Sequence, residues 1–416
     1  MEAIAILGVA LAYAGASIAA LVALLIALYA AFDHFPIPRA RDVINVADAC
    51  YEAAPDDGHH ASGVPSGDGA VPTLRVLSWN TWCIPVYGTG NPTDGGPGPG
   101  LWARLTRPFG RAGFLTRVLA PPLLDKKPHG RAVAAFLKRR IRAMARAPDV
   151  LLLQEVWGAP TANAWQEACL SRKAVLDALR EDYPYYTGSV GCGTNPYRPV
   201  LDIPPLDSGL LVMSKHPIRA ADVHFERFAC VRGNECFVGK GVLAVRVAPP
   251  GMRPALLATT HLQANEPGAG AEDDKKVAAV QVQQTRQLAA MLERLRWADA
   301  IATGGIGARG TTPVVVAGDF NTVNRRALIR IRSAMRSSAM THYGNGELFS
   351  AFAPGEVTTT NERPGSGFPQ AQLDAVFSSG GLRPVRAVVV EDRPNRVDDD
   401  NPSDHKPLMV DFEERW

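Results

Sequence analysis

Two histidines, four acids and two asparagines stand at or just beyond the ends of short apolar runs in this 416-residue chain: Asn80, Glu155, His261, Asp319 with Asn321, Asp374, and Asp404-His405. Carboxylate and amide oxygens are hard donors. Such a set suits Mg²⁺, which takes one or two carboxylates and keeps several waters, rather than a Cys/His cage. A histidine beside it supplies a base near neutrality, because its ordinary pKa is about 6.5. Glu155, delivered by Leu151-Leu152-Leu153, is the main anchor expected for the cation. Each signal alone has a plain alternative. Glu155 suits a solvated carboxylate, Gly318-Asp319-Phe320-Asn321 suits a turn, and Ser403-Asp404-His405 suits a loop. Their joint occurrence in this order favours a site.

The elements that must position these residues follow from periodicity. Leu74–Ser78, Asp149–Leu153, Gly209–Met213, Val242–Val247, Ala255–Thr260, Val314–Ala317, Leu373–Phe377 and Leu408–Phe412 read as buried strands. Val133, Leu137, Ile141 and Met144 form one face of a helix whose other face carries Lys138, Arg139 and Arg142. A second helix shows Val277, Val280, Leu288, Met291, Leu292 and Leu295 on one side. Short strands alternating with amphipathic helices define one α/β domain from Thr73 onward, with no internal repeat in the sequence.

Composition narrows the class. Hydrophobic residues are 46% and charged residues 20%, which excludes disordered, collagen-like and multi-span membrane chains. Net charge is only +3, yet between Arg104 and Arg146 twelve Lys/Arg face a single acid, Asp125. Six cysteines are too few for a disulfide scaffold and lack C-x-x-C spacing; Cys230/Cys236 and Cys169/Cys192 suit either pairs or thiols.

Residues 3–32 carry no charged side chain. As a helix they would span about 45 Å, more than the roughly 30 Å hydrocarbon core. A cleaved signal peptide would show a basic start and a shorter apolar core; here the only early charge is Glu2. The expectation is one transmembrane anchor over 1–32 and a flexible linker over 33–72, in which residues 50–72 mix Gly, Pro, Ser, Asp and His without periodicity, followed by the domain at 73–416. Arg39 and Arg41 after the anchor tilt the body towards the cytoplasmic side.

Asn80, Leu153-Gln154-Glu155, Gly318-Asp319-Phe320-Asn321, Leu373-Asp374 and Ser403-Asp404-His405, in that order, resemble the endonuclease/exonuclease/phosphatase superfamily across about residues 73–414. The resemblance implies a four-layer α/β sandwich, two packed and mainly antiparallel sheets flanked by helices. Asn80-Thr81-Trp82-Cys83-Ile84-Pro85, Glu155-Val156-Trp157, Gly239-Lys240-Gly241 and Thr260-His261-Leu262-Gln263-Ala264 further resemble the neutral sphingomyelinase branch, where glycine is commoner than Cys83. Residues 86–130 form a longer insertion than that branch shows.

The resemblance implies roles. Asn80 and Glu155, with Asp404 through water, would hold Mg²⁺, or Mn²⁺ in its stead. His405 would be the general base on the attacking water, oriented by Asp374. Asp319 would orient that water, Asn321 would grip the phosphate with it, and His261 would donate to a non-bridging oxygen. Lys240 would contact the phosphate. The implied activity is hydrolysis of a membrane phospholipid, sphingomyelin to ceramide and phosphocholine, with the bilayer and its lipid as partners and no protein partner. A membrane-tethered nuclease is the alternative. The basic run 104–146 speaks for it, and Asp398-Asp399-Asp400 upstream of His405 speaks against it. An inactive scaffold would have lost part of the set, and no position is lost. Within the insertion, residues 101–127 mix Trp102, Phe109 and Phe114 with arginines, which suits either a helix on the core or a segment at headgroup level.

Overall fold

A computed structural model describes residues 72–82, 127–158, 171–191, 207–229, 235, 238–264, 271–302, 312–321, 329–333, 349–352, 359–360, 371–379, 381–390 and 402–414. The expected anchor at 1–32, the linker to residue 71, and the insertion up to residue 126 lie outside them. Among the described residues, no helix is long and apolar enough to cross a membrane.

In chain order the elements are β1 (Thr73–Asn80), α1 (Lys127–Ala143), β2 (Val150–Gln154), α2 (Ser171–Leu179), β3 (Tyr185–Tyr186), β4 (Leu211–Ser214), β5 (Val223–Arg227), β6 (Gly241–Val247), β7 (Ala255–His261), α3 (Ala271–Ala302), β8 (Val314–Asp319), β9 (Phe349–Ser350), β10 (Asp374–Ser379), β11 (Leu382–Val389) and β12 (Leu408–Glu414). They build two six-stranded sheets, β11-β12-β1-β2-β4-β3 and β5-β6-β7-β8-β10-β9. Each is mixed rather than uniformly antiparallel. One parallel pair lies at its centre, β1/β2 in the first and β7/β8 in the second. A parallel pair needs a long crossover; α1 lies in the first connection and α3 in the second.

Alternation of side chains assigns the layers. Leu74, Val76, Val150 and Leu152 of the first sheet meet Leu243, Val245, Leu257, Val315 and Ala317 of the second in one core between the sheets. The opposite face of the first sheet presents Leu77, Trp79, Leu151 and Leu153 to Val133, Phe136, Leu137 and Ile141 of α1 and Val175 and Leu179 of α2. The outer face of the second presents Val242, Ala244, Leu256, Val314 and Val316 to Leu288, Ala289, Met291 and Leu292 of α3. The result is four layers, helices, sheet, sheet, helix. Strands covered on both faces read as unbroken apolar runs, which is why Val150–Leu153 shows no alternation in the sequence. Burying each such Val or Leu contributes about 1.5–3 kcal/mol.

This topology gathers the site. In the parallel pairs, Asn80 stands opposite Gln154 and His261 opposite Asp319, so each pair ends at one edge. β10 runs antiparallel to β8 and starts where β8 stops, with Asp374 opposite Asp319. β12 runs antiparallel to β1, so the loop that precedes it returns His405 to the same edge.

Candidate active site

The carboxylate of Asp319 is the centre, 1% exposed at the end of β8. Its Oδ2 accepts from Asn80 Nδ2 at 2.9 Å. His261 Nε2 lies 3.5 Å from the same oxygen and His405 Nε2 lies 3.6 Å from it. Its Oδ1 accepts the Asn321 backbone N–H at 2.8 Å. Gly318 lets β8 lie this close to β7: its φ is +153°, and a Cβ there would meet the Thr260 carbonyl oxygen at 2.1 Å. The glycine of the Gly318-Asp319-Phe320-Asn321 run therefore serves strand packing rather than a turn.

Asn80 bridges two carboxylates. Its Nδ2 also donates to Glu155 Oε1 at 2.9 Å, while its Oδ1 accepts the Trp82 N–H at 3.0 Å. Expected as a metal-holding oxygen, it here turns its amide nitrogen to Glu155 and Asp319. The second Glu155 oxygen, Oε2, is buried and has no hydrogen-bond partner among the described residues. An unpartnered buried carboxylate oxygen is costly unless a cation satisfies it. Glu155, His261 and Asp319 each offer a ligand atom, all within 4.8 Å of one another. The two carboxylates fit a hard divalent cation.

His405 Nδ1 lies 2.8 Å from Asp374 Oδ2. Trp79 Nε1 donates to the His405 carbonyl at 2.9 Å, Ser403 Oγ donates to the Asn80 carbonyl at 2.7 Å, and Thr360 bridges to His405. Asp374 is fixed through its own N–H, which donates to Thr359 Oγ1 at 3.1 Å. Asp404 Oδ1 lies 3.9 Å from His405 Nε2, the nitrogen that faces Asp319.

Electrostatics separates the two histidines. Burial lowers His261 well below its ordinary pKa, and the positive charges of Lys240 and His405 add to that, so it is neutral. Burial pushes His405 down too, but Asp374, Asp319 and Glu155 outweigh it and raise it to about 9. Burial raises the Asp319 carboxyl to about 7, with Asp374 adding and His405 opposing.

Two further expected residues sit behind this constellation. Lys240 is 2% exposed; its Nζ pairs with Glu235 Oε1 at 2.6 Å and donates to the Leu262 carbonyl at 2.7 Å. Its charge reaches the site through His261. Asn321 donates from Nδ2 to the same Leu262 carbonyl at 2.9 Å. Glu235 and Thr359 carry no signal of a role in the sequence. Trp82, Glu155 and Asn321 have φ of 51°, 59° and 50°. Non-glycine residues held there cost about 1–3 kcal/mol each and collect at functional sites.

A carboxylate–imidazole pair thus faces a second carboxylate and a neutral imidazole, beside an orphaned glutamate oxygen, at one edge of a four-layer scaffold. The sequence profile of the Endonuclease/Exonuclease/phosphatase family matches residues 77–405, and the chain belongs to that family. No curated protein sequence matches it significantly. Among solved structures it is similar to beta toxin 275-280 from Staphylococcus aureus, at 16% identity and TM-score 0.50 over 81% of this chain and 99% of that one. It is also similar to sphingomyelinase C from Streptomyces griseocarneus, at 21% identity and TM-score 0.47 over 82% and 99%. A doubly substituted beta toxin from Staphylococcus aureus with bound magnesium ions matches at 16% identity and TM-score 0.49 over 83% and 100%.

Proposed function

We propose that the chain is a metal-dependent phosphodiesterase that cleaves sphingomyelin to ceramide and phosphocholine. One observation carries the reaction class: His405, paired with Asp374 at 2.8 Å, directs its other ring nitrogen at the carboxylate that His261 also faces. Glu155 and Asp319 would hold the divalent cation, which would polarise a phosphoryl oxygen and whose positive charge would oppose protonation of His405. His405 Nε2 then takes the proton of the attacking water. Asp374 keeps the Nδ1–H in place and balances the imidazolium that forms. Asn80 ties Glu155 and Asp319 together by donating to both. Neutral His261 donates a hydrogen bond to a non-bridging oxygen without adding a charge to the cation site.

The lipid substrate rests on the likeness of Asn80-Thr81-Trp82, Glu155-Val156-Trp157 and Thr260-His261-Leu262 to the sphingomyelinase branch. It rests also on the 30 uncharged residues that would tether the enzyme to the bilayer holding its substrate. The basic run favours a nuclease less than its charge suggests. Arg146 bonds Thr73 at the start of β1, whereas Asn80 ends that strand, so this part of the run lies at the opposite edge of the sheet from the site.

The full chain is to be assayed with Mg²⁺ against sphingomyelin vesicles, phosphatidylcholine vesicles and plasmid DNA, each with and without chelator. Phosphocholine release from sphingomyelin, abolished by chelation, is expected. Turnover of DNA alone would replace the lipid reading, and full turnover in chelator would end the metal reading.

A further inference from the structure

Glu155 is held in a left-handed backbone conformation, φ 59°, and nothing in its own side chain favours that. Something behind it must impose the conformation. Every backbone N–H of the next three residues is bonded. Val156 N–H donates to the Gly209 carbonyl at 2.8 Å, Trp157 N–H to Ser171 Oγ at 3.1 Å, and Gly158 N–H to Asp207 Oδ1 at 3.0 Å. Asp207 in turn donates its own N–H to the Gly158 carbonyl at 3.3 Å, closing a two-way clasp on that residue.

The carboxylate of Asp207 is 0% exposed and fully engaged. Oδ1 accepts both Gly158 N–H and Gly209 N–H, the latter at 2.9 Å; Oδ2 accepts Ser189 Oγ at 2.6 Å and Arg172 Nη2 at 3.1 Å. Arg172 also donates from Nη2 to the Leu210 carbonyl at 2.7 Å, and its N–H donates to the Trp157 carbonyl at 3.1 Å. The Trp157 ring lies against Gly209, where an added Cβ would meet it at 3.0 Å. A buried ion pair is a poor source of net stability, because desolvation offsets much of its attraction. This one is better explained by what it holds in place: the three residues that follow the strained glutamate.

We propose that Asp207, through Arg172 and the Val156–Gly158 segment, is a positioning residue that fixes the Glu155 carboxylate for cation binding. The proposal rests on Glu155 being a metal-holding residue, as read above. Supporting partners of a ligating group typically change metal affinity by about 10–100-fold when removed. Asp207→Asn keeps the shape but presents an amide N–H₂ where Oδ2 now accepts two donors.

The test is calorimetric Mg²⁺ binding to the full-length chain, well below each variant's melting temperature, so that the readout is affinity and not activity. Asp207→Asn is expected to weaken Mg²⁺ about 10–100-fold. Ser171→Ala, which strips only the acceptor of the Trp157 N–H, should weaken it about fivefold, the scale of one hydrogen bond. Arg253→Met breaks the Arg253–Glu414 pair at the far ends of β7 and β12; it should lower the melting temperature and leave Mg²⁺ affinity alone. Folded Asp207→Asn and Ser171→Ala chains with wild-type affinity overturn the proposal. Should Asp207→Asn fail to fold, Ser171→Ala decides in the same way. Equal weakening in Arg253→Met also overturns it, since general destabilisation would then explain the effect. A wild-type chain that binds no Mg²⁺ overturns the metal reading itself, and the proposal with it.

Discussion

His261 and His405 face one carboxylate oxygen from two sides, at 3.5 Å and 3.6 Å, and are buried almost equally, at 6% and 5% exposed. Their protonation runs in opposite directions. His261 falls well below the ordinary value and His405 rises to about 9. Burial alone would lower both, so burial does not separate them. The partners do. His405 has Asp374 at 2.8 Å from its Nδ1, whereas the His261 Nδ1 has no hydrogen-bond partner among the described residues and feels the Lys240 charge instead. One scaffold thus holds the same side chain in a charged and in a neutral form by choosing what stands behind each ring.

The largest effect should come from removing His405, the base of the proposed mechanism. His405→Ala is expected to lower kcat about 10²–10⁴-fold, and His261→Ala to lower it less, both measured at saturating Mg²⁺. Equal losses would break the distinction between the rings. Next comes Asp374→Asn, which takes the carboxylate from His405 and offers the wrong hydrogen-bond partner to its Nδ1. Turnover should fall at neutral pH with the fold intact by circular dichroism. A wild-type rate across pH 5–9 would show that the pairing does no catalytic work.

A smaller effect appears in stability, where the two rings should act at opposite ends of the pH scale. The raised His405 contributes stability below its unfolded pKa of about 6.5, and loses it as pH climbs towards 9. The raised Asp319 carboxyl acts in the same sense lower down, its contribution fading as pH rises from about 4 towards 7. The lowered His261 works the other way, costing stability as pH falls below about 6.5 because only the unfolded chain gains that proton readily. In chelated protein, His405→Ala should flatten the alkaline fall in melting temperature and His261→Ala the acid fall. Identical curves for the two variants would erase the comparison.

Much of this was legible in the sequence. Runs such as Val150–Leu153 and Val314–Ala317 are buried on both faces, so composition alone marks them as strands, and parallel pairing then brings their polar ends together. Elements with weak patterning escaped. β11 is partly exposed and its register shifts between Pro384 and Arg386, while α2 buries only Val175 and Leu179 as apolar anchors. The site residues were readable as types, not as orientations. Nothing in Asn80 reveals that its oxygen is taken by the Trp82 N–H, and nothing in Gly239-Lys240-Gly241 reveals that Glu235 claims the ammonium. Those facts depend on tertiary distances between segments whose sequences carry no mutual signal.

The division of labour between the two rings is tested most directly by NMR of the metal-free chain with isotope-labelled histidine rings, assigned through His261→Ala and His405→Ala. One ring, His405, should stay protonated through pH 7 and titrate near 9, while His261 stays neutral well below pH 6.5. Two rings titrating together near pH 6.5 would contradict the account.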